Sequence, residues 1–113
     1  MTVNYKTLFL LNSSVITNEG IFSYKIINEE QAHLIYNNNK NNTINAIGHQ
    51  AMIDIASRVL NVKLNTQRLK VKMNKGDGAL VFKLSERLPI TKELKINEFD
   101  ISSLEIGLIV RIS

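Results

Sequence analysis

Four mostly apolar runs along the chain predict β-strands. The stretch YKTLFLLN (5–12) is uninterrupted from Leu8 to Leu11, which is typical of a central strand covered on both faces. The stretch IFSYKII (21–27) alternates aromatic and polar residues before it ends in two isoleucines. The other two runs are ALVFKL (79–84) and the terminal LEIGLIVRIS (104–113).

A fifth strand is predicted by the strict alternation in RLKVKM (68–73). Apolar residues at the odd positions fall on one face and basic residues fall on the other, as in a half-exposed strand. The following NKGDG (74–78) is a strong turn signal. The pattern therefore predicts a β-hairpin between 68–73 and 79–84.

A first helix is predicted over 29–37. Asn28 is a good N-cap, and the two glutamates that follow it favour the positive end of a helix dipole. The asparagine-rich NNNKNNTIN (37–45) predicts a surface loop. A short helical turn is also expected around 97–103.

An apolar stripe predicts a second helix over 45–60. Its members step by three or four positions and are Ile44, Ile47, Ala51, Ile55 and Val59. His49 lies two residues, or about 200°, from Ala51 around the helix axis, so it falls off the buried stripe. It is expected in the first turn, beside backbone N–H groups that have no partner within the helix.

This order of elements indicates an α/β or α+β protein. We expect a single domain over 1–113, built on a mixed sheet of about five strands with flanking helices. A chain of 113 residues, 44% of them hydrophobic, suits one compact domain, and a homodimer interface would add buried surface. Because the chain has no cysteine, disulfide scaffolds and cysteine nucleophiles are excluded and a reducing, cytoplasmic location is favoured.

Charge and motif content limit the classes of ligand and cofactor that this protein is expected to bind. A net charge of +4 is compatible with a phosphate-bearing ligand. The two histidines lie in separate elements with no carboxylate at ligand spacing, and nucleotide-loop and zinc-protease motifs are absent, so we expect no metal and no cofactor. No apolar run reaches the roughly 20 residues needed to span a bilayer, so no membrane partner is expected.

Three polar features lie at the ends of predicted elements. Asn12 and Ser13 follow the first strand, where open α/β sheets tend to bind ligands, although these residues are also common in plain turns. Gly48 would admit a phosphate to a helix start, where His49 is either part of a site or an ordinary capping residue. Arg87 follows a buried strand and either forks onto a phosphate or pairs with a nearby glutamate. Together these features favour a metal-free site that handles a phosphodiester.

Four segments carry a resemblance to a known family: LFLLNSSVIT, NAIGHQAMIDIAS, ALVFKLSERLP and the terminal GLIVRIS. In order and content they resemble the type III anti-CRISPR ring nuclease family of archaeal viruses, phages and bacterial mobile elements. The resemblance implies a homodimer that binds cyclic tetra-adenylate across its interface and cleaves it without a metal. A ribose 2′-hydroxyl attacks the neighbouring phosphorus, which gives linear di-adenylate with a 2′,3′-cyclic phosphate and switches off type III CRISPR signalling.

The resemblance also implies roles for individual residues. His49 matches the family's general acid, which protonates the leaving 5′-oxygen, and Arg87 matches the arginine that holds the phosphate. Asn12 and Arg68 match ligand contacts, and Gly48 with its neighbouring amides would border the ring. The expected substrate-binding set is Asn12, Ser13, Gly48, Gln50, Arg68 and Lys83.

The chain departs from the family pattern at two places. Ile90 stands where many members carry a glutamate, and Ala51 and Met52 stand where many carry small hydroxyl residues. The departure at Ile90 keeps open a cyclic oligoadenylate sponge or sensor that binds without efficient cleavage, whereas Ala51 and Met52 bear on the affinity for the ring. A third hypothesis is a small dimeric DNA-binding regulator, based on the basic residues of 68–73, although no stable DNA partner is expected because no basic recognition helix is visible.

Overall fold

A computed structural model describes residues 5–12, 18–67, 69–84 and 104–113 of the chain. Two helices and five strands make up its regular elements. In chain order they are β1 (Leu8–Leu11), β2 (Phe22–Ile27), α1 (Glu29–Asn38), β3 (Thr43–Asn45), α2 (Gln50–Leu60), β4 (Gly78–Leu84) and β5 (Leu104–Arg111). A 3-10 turn over Lys40–Asn42 leads from α1 into β3. The fold is α+β, as the sequence predicted.

The five strands form one mixed sheet in the order β2-β5-β4-β1-β3. β1 is parallel to both of its neighbours, with Leu8 opposite Thr43 of β3 and opposite Gly78 of β4. β5 is antiparallel to both β4 and β2. The predicted mixed sheet of about five strands with flanking helices is therefore confirmed.

The sheet carries a separate apolar cluster on each face. On the helical face, Leu8, Leu10, Leu80 and Phe82 pack against α1 and α2, which contribute buried residues such as Ile53. On the opposite face, which we call the helix-free face, the alternate residues of the same strands are covered by Val71 and Met73 of the extended segment 69–74. That cluster consists of Phe9, Leu11, Ala46, Val71, Met73, Ala79, Val81 and Ile109. Because both faces are covered there, β1 is buried along its whole length, as its uninterrupted apolar run predicts.

The N-cap predicted for α1 is present. The Asn28 side chain accepts from the Gln31 amide at 2.8 Å, and the Gln31 side chain accepts from the Asn28 amide at 3.0 Å, which completes a capping box. At the other end of α1, Asn39 is 1% exposed and accepts from the Tyr5 amide at 3.0 Å. The asparagine-rich stretch is thus only partly a surface loop, because Asn39 ties it to the chain just before β1.

The predicted strand over 68–73 and its hairpin with 79–84 are wrong. Residues 69–74 form no strand, and β4 pairs instead with β1 and β5. The alternation of burial is nevertheless real, since Val71 and Met73 are buried whereas Leu69 is 50% exposed and the two lysines are exposed. Both hydrogen-bonding edges of β4 are already occupied, so this segment lies across the helix-free face without joining the sheet.

The predicted start of the second helix is also wrong. The stretch from residue 43 to residue 45 forms the short edge strand β3, and α2 begins at Gln50 rather than near 45. The predicted stripe holds only in part. Ile47 and Ile55 are buried, but Ile44 is 42% exposed on β3, and the buried residues of α2 also include Met52 and Ile53. The helical turn expected around 97–103 lies outside the described residues.

Replacing Leu10 with alanine tests the central position of β1. Leu10 is 0% exposed and packs beneath both helices, so Leu10→Ala should lower the free energy of unfolding by about 2–5 kcal/mol. The matched control Leu69→Ala removes the same atoms from a side chain that is 50% exposed, and should change it by no more than about 0.5 kcal/mol. Urea denaturation followed by circular dichroism measures both; equal losses would contradict the assignment of β1 as the core strand.

Candidate functional site

The carboxyl ends of three parallel strands meet at one edge of the sheet. β1, β3 and β4 run in the same direction, with Leu10 opposite both Asn45 and Leu80. The chain leaves β1 at Asn12 and leaves β3 at Ala46, whose amide donates to the Leu10 carbonyl at 2.9 Å. Asn12 and the loop 46–49 therefore start side by side, at the edge where open sheets of parallel strands bind ligands.

The loop between β3 and α2 is held from two sides. The Asn45 side chain accepts from the Ile47 amide at 3.1 Å and donates to the Asn65 carbonyl at 2.6 Å. The Ile47 carbonyl in turn accepts from the Gln67 amide at 2.8 Å, and the Ile47 side chain is fully buried. These bonds fix the backbone immediately before Gly48 and His49, which is the support that a positioned side chain needs.

His49 is the N-cap residue of α2 rather than a residue of its first turn. Its backbone is extended (φ −112°, ψ 122°), its carbonyl accepts from the Ile53 amide at 3.0 Å, and its side chain makes no capping hydrogen bond. The side chain is exposed, and the first turn of α2 carries no acidic residue. An exposed imidazole thus lies next to the first-turn amides of α2, where an anion is favoured.

Three of the other predicted ligand residues lie near His49, three lie outside the described residues, and Lys83 lies elsewhere in the sheet. Asn12 and Gly48 are half-buried at the same edge. Gln50 is exposed, but its side-chain amide donates to Asp54 at 3.0 Å along the helix. Ser13, Arg68 and Arg87 lie outside the described residues.

Lys83 belongs to a different cluster, which we call the Tyr24–Lys83–Glu105 cluster. Its ammonium lies 3.0 Å from the Glu105 carboxylate and 5.2 Å from the centroid of the Tyr24 ring. The Tyr24 hydroxyl donates to the same carboxylate oxygen at 3.0 Å. Lys83 follows Ala79 and Val81 at two-residue spacing along β4, so it points to the same helix-free face as they do. α2 packs on the other face.

The cluster shifts the titration of two of its members. Hydrogen bonding to Glu105, followed by the contact with Tyr24, raises the pKa of Lys83. The same hydrogen bond from Lys83, followed by that from Tyr24, lowers the pKa of the Glu105 carboxyl. Lys83 is thus held as a cation by an internal partner, and a phosphate would have to compete with Glu105 for it.

Sequence reasoning missed the residues that position this cluster and the loop. Tyr24 and Glu105 stand far from Lys83 in the chain, and they meet only because β5 lies between β2 and β4. Gly107 allows the contact, since a Cβ there would overlap the Tyr24 ring. Asn45 carried a readable signal, because an asparagine between a strand and a helix often bonds its own backbone two residues on.

The described part of the chain contains neither a candidate metal site nor a helix that could span a membrane. No group of three or more histidine, aspartate or glutamate side chains there is placed to hold a metal ion. Neither α1 nor α2 has the length and apolar character that a bilayer span requires. The predicted basic face is partly present, since Lys70 and Lys72 are exposed beside buried Val71 and Met73.

The fold and its polar edge define a small α+β protein with a helix start beside the ends of parallel strands. A family model described as STIV B116-like matches residues 8–107, so the chain belongs to the STIV B116-like family. The structure is similar to B116 of Sulfolobus turreted icosahedral virus, with a TM-score of 0.73 and 26% identity over 93% of this chain and 99% of that one.

A sequence relative comes from a second virus. The chain is 34% identical over 55 residues to the uncharacterized protein ORF116 of Acidianus filamentous virus 1. That match covers 49% of this chain and 47% of the relative, so the similar region spans about half the length of the curated relative. Both similar proteins are viral, which supports the viral part of the expectation drawn from the sequence.

Removing Lys83 should release Glu105. In Lys83→Met the Glu105 pKa should rise toward its ordinary value, because the strongest hydrogen bond to the carboxylate is lost. Carboxyl-carbon NMR titration measures the change, and Lys25→Met, an exposed lysine on the neighbouring strand β2, is the control. An unchanged Glu105 titration in Lys83→Met would contradict the ion pair.

The same pair predicts a pH dependence of stability. Because folding lowers the Glu105 pKa, its contribution is present above the ordinary carboxyl pKa and is lost as the pH falls through the lowered value. The side chains of Lys83 and Glu105 are 40% and 29% exposed, so solvent screening keeps this contribution small.

Proposed function

We propose that this protein is a metal-independent ring nuclease that cleaves cyclic tetra-adenylate to linear di-adenylate with a 2′,3′-cyclic phosphate. By removing this messenger it acts as an anti-CRISPR, switching off type III CRISPR signalling in the cytoplasm of the infected host. The observation that carries the proposal is the position of His49. This exposed histidine is the N-cap residue of α2, at the edge where β1 and β3 end, on a backbone that Asn45 holds in place.

The chemistry requires few protein groups. The 2′-hydroxyl of one ribose forms a bond to the adjacent phosphorus, its proton passes to solvent, and the bond from phosphorus to the 5′-oxygen breaks. His49, as imidazolium, gives a proton to that leaving oxygen, and histidine is the side chain best suited to this near neutral pH. The nucleophile belongs to the substrate, so a chain without cysteine lacks nothing that the reaction needs.

The electrostatics of the edge favour the phosphate. The first-turn amides of α2 carry partial positive charge and no acidic side chain in that turn opposes them. Asn12 leaves β1 beside this helix start and can donate to a phosphate or base from the same edge. The resemblance assigns a further phosphate contact to Arg87, which would stabilise the charge that grows in the transition state.

A homodimer would match the product. A two-fold axis presents two copies of His49 to a ring of four equivalent nucleotides, so two cuts on opposite sides give two di-adenylates. The substrate is expected to lie across this axis.

A sponge that binds the ring without cleaving it is the second candidate. This candidate rests on Ile90, which stands where the family resemblance places a glutamate that would assist cleavage. Ala51 and Met52 offer no hydroxyl to the ring, which bears on its affinity and not on the choice between binding and cleavage. Such a protein would lower the free messenger concentration by binding alone.

His49→Ala should greatly reduce turnover. With purified protein, cyclic tetra-adenylate and EDTA, the wild type should release linear di-adenylate, and the variant should be slower by about 10²–10⁴-fold because general-acid catalysis is lost. The matched control is His33→Ala, which removes the half-buried histidine of α1, 3.3 Å from the Asn37 side chain, and should leave the rate unchanged.

The outcomes separate the candidates. Chromatography of the reaction at stoichiometric enzyme should show di-adenylate; an intact ring recovered from a tight complex selects the sponge. If the ring is neither cleaved nor bound in calorimetry, both candidates are overturned.

A further inference from the structure

The loop that leads from β3 to α2 has a second neighbour besides β1. Its first residue, Ala46, donates its amide to the Leu10 carbonyl of β1 at 2.9 Å. Its second residue, Ile47, accepts at its carbonyl from the Gln67 amide at 2.8 Å. Residues 61–67, which we call the return segment, thus lead from the end of α2 back to the loop before that helix.

The return segment is anchored by main-chain groups and apolar side chains. It starts at Asn61, the left-handed C-cap residue of α2 (φ 53°). The Val62 amide donates to the Ser57 carbonyl at 3.0 Å, and the Leu64 amide donates to the Ser57 hydroxyl oxygen at 3.2 Å. The side chains of Val62 and Leu64 pack, partly buried, against the cluster on the helical face. The polar side chains of the segment are therefore not needed to hold it in place.

Three uncharged polar side chains are exposed where the return segment meets the loop. They belong to Asn65, Thr66 and Gln67. The main chain there is held at two points, since the Asn65 carbonyl accepts from the Asn45 side chain at 2.6 Å and the Gln67 amide donates to Ile47. Within the described part of the chain, the carboxamide of Gln67 makes no hydrogen bond, so a ligand at the loop can use it.

The other glutamine beside the loop is engaged within the protein. The Gln50 carboxamide donates to the Asp54 carboxylate at 3.0 Å, which directs it along α2. The start of α2, with its amides and the exposed His49, favours an anion such as a phosphate. Gln67 carries no charge and is suited to a neutral, hydrogen-bonding part of the same ligand.

We propose that the Gln67 carboxamide recognises an adenine base of the bound ring, a specificity role that rests on the proposed function. A carboxamide presents an acceptor oxygen beside a donor NH2 group. Adenine presents its N6 amine, a donor, beside the acceptor N7, so both hydrogen bonds form together. Hypoxanthine has a carbonyl in place of that amine, so it offers two adjacent acceptors and the carboxamide oxygen has no donor to meet.

The anchoring of the return segment supports this role. Because main-chain bonds fix the position of Gln67, binding a base has to order only its side-chain torsions. A group held in this way discriminates between bases better than one on a free loop, since the wrong base cannot be accommodated by moving the backbone.

Replacing Gln67 with methionine tests the role. The variant keeps the length of the side chain and the main-chain amide that bonds Ile47, and it removes both polar groups. In a His49→Ala background, which slows cleavage, calorimetry compares cyclic tetra-adenylate with cyclic tetra-inosinate. We expect the protein with Gln67 to prefer the adenylate ring, and Gln67→Met to bind that ring about 5- to 150-fold more weakly, because a two-bond contact is lost. The affinity for the inosinate ring should change much less.

The matched control is Asn41→Leu, which removes an exposed carboxamide just before β3, whereas the loop follows the end of that strand. It should leave both affinities unchanged. An adenylate preference that survives in Gln67→Met would overturn the base-recognition role and leave the proposed function standing. An equal loss for both rings would also overturn the role, since Gln67 would then only support the loop. If the protein with Gln67 neither binds nor cleaves the adenylate ring, the proposed function fails as well.

Discussion

Parallel pairing of β1 with both of its neighbours is the constraint on which the arrangement of this protein depends. Parallel strands cannot be joined by a tight turn, so the chain must cross over between them, and here each crossover carries a helix. The crossovers place α1 and α2 on one face and return the chain in the same direction each time. As a result Asn12 and the loop that ends at His49 come to the same edge, although they are far apart in sequence.

The same constraint explains which parts of the fold could be predicted from the sequence. β1 is buried on both faces and paired on both edges, and this environment demands the continuous apolar run from Leu8 to Leu11. The start of α1 was equally readable, because its capping box consists of local contacts between Asn28 and Gln31. Where structure is decided within a few residues, or by burial on every side, residue pattern is a sufficient guide.

The segment 68–73 shows where pattern fails. Alternating burial is a property of an extended backbone lying on an apolar surface, and it does not require hydrogen-bonded neighbours. Val71 and Met73 satisfy the pattern by packing on the helix-free face, while β4, the predicted partner, is occupied by β1 and β5. The contacts of Lys83 could not be predicted either. Its partners Tyr24 and Glu105 are brought to it by the strand order, and no residue pattern near Lys83 indicates them. His49, by contrast, was correctly placed near the start of a helix, although that helix begins at Gln50 and not near residue 45.

Asn18 holds the extended segment in a way that resembles a neighbouring strand. Its side-chain oxygen accepts from the Met73 amide at 3.0 Å, and its side-chain nitrogen donates to the Met73 carbonyl at 2.7 Å, which also accepts from Arg111. One primary amide thus reproduces, at one residue, the pair of bonds that a neighbouring strand would supply. We expect hydrogen exchange at the Met73 amide to follow the opening of the Asn18 side chain, whereas the amides of β4 exchange only when the sheet opens.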